Sequence, residues 1–208
     1  MQSEVYVKSL EPEGVVEYHE RWLEEVLADA SMARLSEQVE WERRWITMFG
    51  KRIMQPRLIS FQGDRGVAYT YSGDVHAAKA WHPAVESMRD RLEDCCGVRF
   101  NSVLLNLYRD GNDSMGWHSD DERELGDNPY IASISLGAIR RFVLRRTIDR
   151  TRKFELQPGH GSLIVMRGRL QHHWQHQIPR TRRPVGPRIN LTFRRVLDLP
   201  PRRRAPGR

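Results

Sequence analysis

The chain is poor in cysteine and has no long apolar run. Of 208 residues only two are cysteines, and Cys95 and Cys96 are adjacent, so neither a disulfide framework nor a cysteine-built zinc site is available. That usage suits a reducing compartment, and a cytoplasmic or nuclear protein is expected, not a secreted one. No apolar stretch approaches the ~20 residues a helix needs to cross a bilayer. The opening Met1-Gln2-Ser3-Glu4 carries an acid early and no leader-type hydrophobic segment. No membrane association is expected. Internal repeats are absent too, which leaves a single monomeric domain with a sizeable core as the expected size class.

Acidic residues are scarce in two places. Residues 180–208 hold ten arginines against Asp198 alone. Arg140, Arg141, Arg145, Arg146, Arg150, Arg152 and Lys153 meet only Asp149. Cationic clustering of this kind is the electrostatic footprint of a polyanion partner.

What is present divides the chain at about residue 100. Val15, Val16, His19, Trp22, Leu23, Val26 and Leu27 recur at helical spacing and predict an amphipathic helix over 13–30. Residues 39–62 read as irregular and basic, broken at Gly50-Lys51-Arg52 and Gln55-Pro56-Arg57. Tyr69-Thr70-Tyr71 is a short β-prone run. Pro83 to Leu92 predicts a second helix with proline in its first turn. From Gly97 onward the pattern changes to strands: 101–108, 130–136, 141–144, 154–156, 162–166, 172–176 and 188–194, separated by Gly, Pro and Asp turns. Short strands without βαβ alternation predict a mainly β fold with flanking helices, closed as a jelly-roll double sheet. The division expected is an N-terminal segment over 1–100, a catalytic core over 101–196 and a basic, disordered tail over 197–208.

The chemistry concentrates in that core. His118 and Asp120 stand two apart in Gly116-Trp117-His118-Ser119-Asp120, where a strand leaves a turn. A His-x-Asp pair with one distant histidine is the facial triad that leaves three positions open on Fe(II). The third ligand must come from His172-His173-Trp174-Gln175-His176. On a strand, His172 and His176 share a face and His173 points away, so spacing alone leaves the choice open. Arg188, Asn190, Thr192 and Arg194 alternate along one strand face. Two buried guanidiniums there need anions, and a dicarboxylic co-substrate such as 2-oxoglutarate supplies two carboxylates.

Tyr108-Arg109-Asp110-Gly111, the run from Gly116 to Leu125, Ile131 to Gly137 and Pro187 to Arg194 together resemble the AlkB family. These are Fe(II)- and 2-oxoglutarate-dependent nucleic-acid demethylases, and the branch most similar is that of AlkB homologues 2 and 3. The resemblance runs from about Trp45 to Val196. It implies a double-stranded β-helix core with an N-terminal nucleotide-recognition lid. It implies His118, Asp120 and His176 as iron ligands, with Asn106, Tyr108, Arg188, Asn190 and Arg194 around 2-oxoglutarate, and O₂ as the oxidant. On the substrate side it implies Tyr69, Tyr71, Asp121 and Glu122 as the base pocket, Phe49 as a wedge in the base stack, and Arg57 near the opposing base. The chain departs from the duplex-acting homologue at Thr47-Met48. The activity implied is removal of methyl groups from bases such as 1-methyladenine or 3-methylcytosine in DNA, releasing formaldehyde and succinate, with RNA as the alternative polymer. A protein hydroxylase of the same iron class would share the triad and an arginine, but it has no use for Phe49, Tyr69 and Tyr71 or for so much positive charge.

Overall fold

The structure is a computed structural model that describes residues 5–10, 12, 14–48, 51–71 and 74–198. The side chains of 46–51 and 69–76 lie outside the described set. In chain order the elements are β1 (Val5–Leu10), β2 (Gly14–His19), α1 (Glu25–Gln38), β3 (Trp45–Met48), β4 (Lys51–Met54), β5 (Leu58–Gly63), β6 (Ala68–Tyr71), β7 (Asp74–Ala77) and α2 (Pro83–Cys96). There follow β8 (Ser102–Tyr108), β9 (Met115–His118), β10 (Ile131–Gly137), β11 (Phe142–Arg146), β12 (Lys153–Leu156), β13 (Ser162–Gly168), a one-turn α3 (Leu170–His173), β14 (Trp174–Ile178) and β15 (Arg188–Arg194).

A seven-stranded sheet in the order β1-β2-β13-β10-β15-β8-β5 faces a four-stranded sheet in the order β12-β11-β14-β9. This is the jelly-roll arrangement. The large sheet is two-faced because its strands alternate. Val103, Leu105, Ala132, Ile134, Leu136, Ile189, Leu191 and Phe193 point to one side and meet Ala28 and Leu35 of α1 and Val85, Met88 and Leu92 of α2. Burying each of the larger side chains contributes roughly 1.5–3 kcal/mol. The other side faces the small sheet, where Phe142, Leu144, Trp174 and Ile178 pack on Tyr108, Ile131, Ile164 and Met166. The second core stops short of filling the gap, and the space left over is the cavity described below.

Several local expectations are corrected. The helix expected over 13–30 is a strand followed by a helix that starts at Glu25. Gly14–His19 has a partner on each side, β1 and β13. That ladder overrides a helical period in which Val26 and Leu27 turn out to be exposed. The segment expected to be irregular, 39–62, holds β3, β4 and β5, because cross-strand pairing tolerates the charged residues that hide its pattern. Two small hairpins, β3–β4 and β6–β7, stand apart from the main sheets. Since β1, β2 and β5 all belong to the large sheet, the N-terminal hundred residues supply strands to the same core as the rest. Among the described residues no helix is long and apolar enough to cross a membrane.

Candidate metal centre and co-substrate cavity

His176 lies on the inner face of β14, opposite His118 at the end of β9. Their rings are 4.1 Å apart, centroid to centroid, and the ring of Phe142 packs against His176 at 5.3 Å. Asp120 Oδ1 stands 4.0 Å from His118 Nε2. One ligand atom from each of His118, Asp120 and His176 can lie within 4.8 Å of the others, the grouping a single ion requires.

The protonation states suit a cation. His118 Nδ1 lies 2.8 Å from the carbonyl of Gly116; that oxygen only accepts, so Nδ1 carries the proton and Nε2 keeps its lone pair for a metal. Burial lowers the His118 pKa, and burial with the neighbouring His118 holds His176 down at about 3. Burial works the other way on Asp120, but the Arg194 guanidinium together with His176 and His118 outweighs it and leaves that carboxyl at about 2. Two neutral imidazoles and one carboxylate, already deprotonated, match Fe(II).

The histidine alternatives are also resolved. Residues 170–173 form a turn of helix, and the strand begins only at Trp174. His172 therefore does not share a strand face with His176, contrary to expectation, and its ring sits against the carbonyl of Asp127. A local i-to-i+3 turn, Arg169 to His172, outcompetes the extended pattern there.

The opposite wall of the cavity is β15 with its neighbours. Asn190, Thr192 and Arg194 line it together with Asn106, Tyr108, Ser133, Met115 and Met166. Arg188 is 1% exposed. Its Nη2 donates to Ser135 Oγ at 2.8 Å and its guanidinium lies over the Tyr108 ring. Its Nε and Nη1 are buried and have no hydrogen-bond partner among the described residues. Burial pulls its pKa down to about 10, so it remains a cation at neutral pH, and it has donors to spare. A buried cation with idle donors is unfavourable unless an anion completes it. Gly137, at φ 85°, makes the start of β15 possible, since a Cβ there would stand 2.4 Å from the Pro187 carbonyl.

Other residues are placed as follows. Asn190 Nδ2 donates to Ser133 Oγ and to the Ile134 carbonyl, bracing the wall. Arg194 Nη2 donates to Asp120 Oδ2 at 2.8 Å, so it supports an iron ligand directly. Arg57 is 3% exposed and its Nε donates to Asn106 Oδ1 at 2.6 Å. Its position is thus inside, beside the co-substrate wall. Asp121 is exposed, bordering a surface cleft with Arg123 and His172, and Glu122 is half-buried. Tyr69 and Tyr71 lie on β6, but their side chains, like all of Phe49, lie outside the described residues. The basic run 140–153 is only partly free. Arg140 is buried against the carbonyls of Asp110, Asp113 and Pro179, Arg141 pairs with Glu155, and Arg145 stacks on Trp117. Sequence reasoning missed Ser133 and Ser135, although they alternate with Ala132 and Ile134 as a polar stripe. It also missed Gln171, whose contact is purely tertiary.

Iron ligands on one wall and an anion-seeking arginine on the other define a 2-oxoglutarate-dependent oxygenase. Residues 15–194 match the 2OG-Fe(II) oxygenase superfamily, and the chain belongs to it. Fe(II), 2-oxoglutarate and O₂ are accordingly its cofactor and co-substrates. Within it the chain is a member of the AlkB family, on the branch of homologues 2 and 3. It is 40% identical over 180 residues to the DNA oxidative demethylase ALKBH2 of Mus musculus, covering 82% of this chain and 75% of that protein. It is 37% identical over 207 residues to the alpha-ketoglutarate-dependent dioxygenase alkB homolog 3 of Homo sapiens, covering 94% and 72%. The fold is similar to the solved structure of OsALKBH1, with a TM-score of 0.62 at 16% identity, over 91% of this chain and all of that one.

Proposed function

We propose that this oxygenase is a DNA oxidative demethylase acting on N-alkylated bases of the 1-methyladenine and 3-methylcytosine type. The observation that carries the reading is the cavity itself: His118 and His176 of a His-Asp-His set line it opposite Asn190 and Thr192 of β15, the strand that begins with a buried arginine holding two unused donors. The mouse relative named above acts as its name states on DNA, and the excess of arginine suits a polyanion.

The residues have separable tasks. Bound Fe(II) with 2-oxoglutarate and O₂ supplies the oxidising equivalent that hydroxylates an N-methyl group, the hard chemistry being the cofactor's. Arg188, with Tyr108 beside it, receives the distal carboxylate through its two idle donors. Asn106 is held by Arg57 at its oxygen, which turns its amide NH₂ to donate inward. Arg194 keeps Asp120 ionised and aimed. Tyr69, Tyr71, Asp121 and Glu122 form the base pocket, where a carboxylate beside aromatic faces suits a flat cationic base. The hairpins β3–β4 and β6–β7 act as the recognition lid. The target base must leave the stack at a cost of about a few kcal/mol, less when damage has already weakened its pairing.

The test is to incubate the full chain with Fe(II), 2-oxoglutarate and a DNA oligonucleotide carrying 1-methyladenine. Succinate and formaldehyde should appear in equal amounts with restored adenine. An RNA oligonucleotide and a methylated peptide are run in parallel. Turnover on the peptide with none on either nucleic acid would overturn the reading in favour of a protein hydroxylase.

A further inference from the structure

Asp120 is the one metal ligand that no strand holds. β9 ends at His118, and β14 carries His176 in register opposite it. Asp120 lies two residues past the strand end, before the short turn Arg123–Leu125, so backbone laddering does not set its position. Two side-chain bonds take that role. The Asp120 amide donates to Oε1 of Gln171 at 3.0 Å, and Ser119 Oγ donates to the Trp174 carbonyl at 3.1 Å. Both run between the segment after His118 and the segment immediately before His176. Gln171 is 2% exposed and sits on the single turn α3, with its Nε2 3.8 Å from Met166 Sδ. A backbone N–H only donates, so the amide must present its oxygen to Asp120 and its NH₂ to the weak sulfur acceptor. The Asp120 carboxylate is fixed separately by Arg194.

We propose that Gln171 is a positioning residue of the metal centre: with Ser119 it ties Asp120 to the His176 segment and organises all three ligands before the ion arrives. Arg194 sets the charge and direction of the carboxylate; Gln171 sets where its backbone stands. Without that tie Asp120 must be ordered by the metal itself, and the ordering is subtracted from affinity. Partners of this kind are worth about 10- to 100-fold in metal affinity. The inference uses only family membership and does not depend on which polymer is demethylated.

The experiment titrates Co(II), a spectroscopic stand-in for Fe(II), into the full metal-free chain, and records the melting temperature of the metal-free protein alongside. Gln171→Met keeps the length and apolar volume of the side chain and removes the acceptor. Its Co(II) Kd should rise about tenfold or more, with the metal-free melting temperature near wild type. Activity should return when Fe(II) is raised, so the loss lies in metal requirement and not in kcat. Gln171→Glu keeps an oxygen acceptor and should restore affinity. Gln171→Asn, which draws the amide back by one methylene, runs the same test in a conservative background. Ser119→Ala should weaken Co(II) binding independently. Unchanged Kd in Gln171→Met or Gln171→Asn, with melting temperatures lowered equally with and without metal, would overturn the proposal and leave a packing role. A wild-type chain that took up no Co(II) would sink the metal reading itself, a distinguishable outcome.

Discussion

β15 and the β3–β4 hairpin are segments of similar length built on opposite plans. All seven residues of β15 are buried, the apolar ones on the helix side and the polar ones on the cavity side. On the hairpin Trp45 is 50% and Ile53 is 41% exposed, one on each face of the ribbon, with Arg52 lying over the Trp45 ring. The difference follows from what each has to meet. A small, invariant dicarboxylate can be anticipated atom by atom, so its wall is closed and leaves the idle donors of Arg188 for the ligand to complete. On the function proposed above, the hairpin would meet a nucleic-acid strand, which is large and variable, and a surface for such a partner stays open with its apolar contacts unused. Rigidity is placed where the ligand is constant.

The largest expected effect comes from breaking the closed side at the metal. His118→Ala, Asp120→Ala and His176→Ala should each abolish Fe(II)-dependent formaldehyde release. His173→Ala should retain it, since that ring lies off the cavity and its backbone carbonyl, which serves Thr147, survives the change. Full activity in His176→Ala would show that the cavity is not the reaction site. Next in size is Arg188→Ala, which removes a guanidinium completed only by the co-substrate. Losing a charged hydrogen-bonding partner of about 1.5–3 kcal/mol should raise the apparent 2-oxoglutarate requirement about 10- to 150-fold, with kcat at saturation much less affected. Co-substrate titration is the measurement, and an unchanged requirement would remove Arg188 from that site.

The same contrast explains how far the sequence could be read. Strand alternation in 188–194 and 102–108 exposes both the core face and the polar face, so the arginine wall was legible from period two alone. The iron set was half legible. His118 and Asp120 announce themselves by spacing, but the placement of Asp120 depends on Gln171, fifty-one residues away, and no local pattern reports that bond. His176 could not be chosen from its neighbours by periodicity, because a turn of helix interrupts the strand at 170–173; only the family motif singled it out. The burial of Arg57 was not legible either, because its contact with Asn106 arises only when β5 pairs with β8.

On the open side the effects should be smaller and should depend on the polymer. Residues 200–208 carry four arginines. If these contact phosphates, deleting the segment should reduce the slope of log K against log salt for undamaged DNA by up to about 3.6, while turnover at saturating substrate stays the same. A full-length protein whose DNA binding ignores salt would make the positive charge merely solubilising.

The finest discrimination is expected from Phe49, which in chain order joins β3 to β4. The glycine after it suits a tight hairpin end, and an aromatic ring carried there can fill the gap left in a base stack. A ring that replaces lost stacking is needed in a duplex, where flipping the damaged base leaves a void between neighbours. On a single strand the base is already accessible and the void does not form. Stacking contributes about 1–3 kcal/mol per base, so Phe49→Ala should lower kcat/KM on a methylated duplex about tenfold. On the same sequence as a single strand it should have almost no effect. A ring that instead packed on the protein would give equal losses on both substrates together with a lower melting temperature. That outcome would place Phe49 with the closed side of the molecule, and it would leave a single-strand enzyme as the better account.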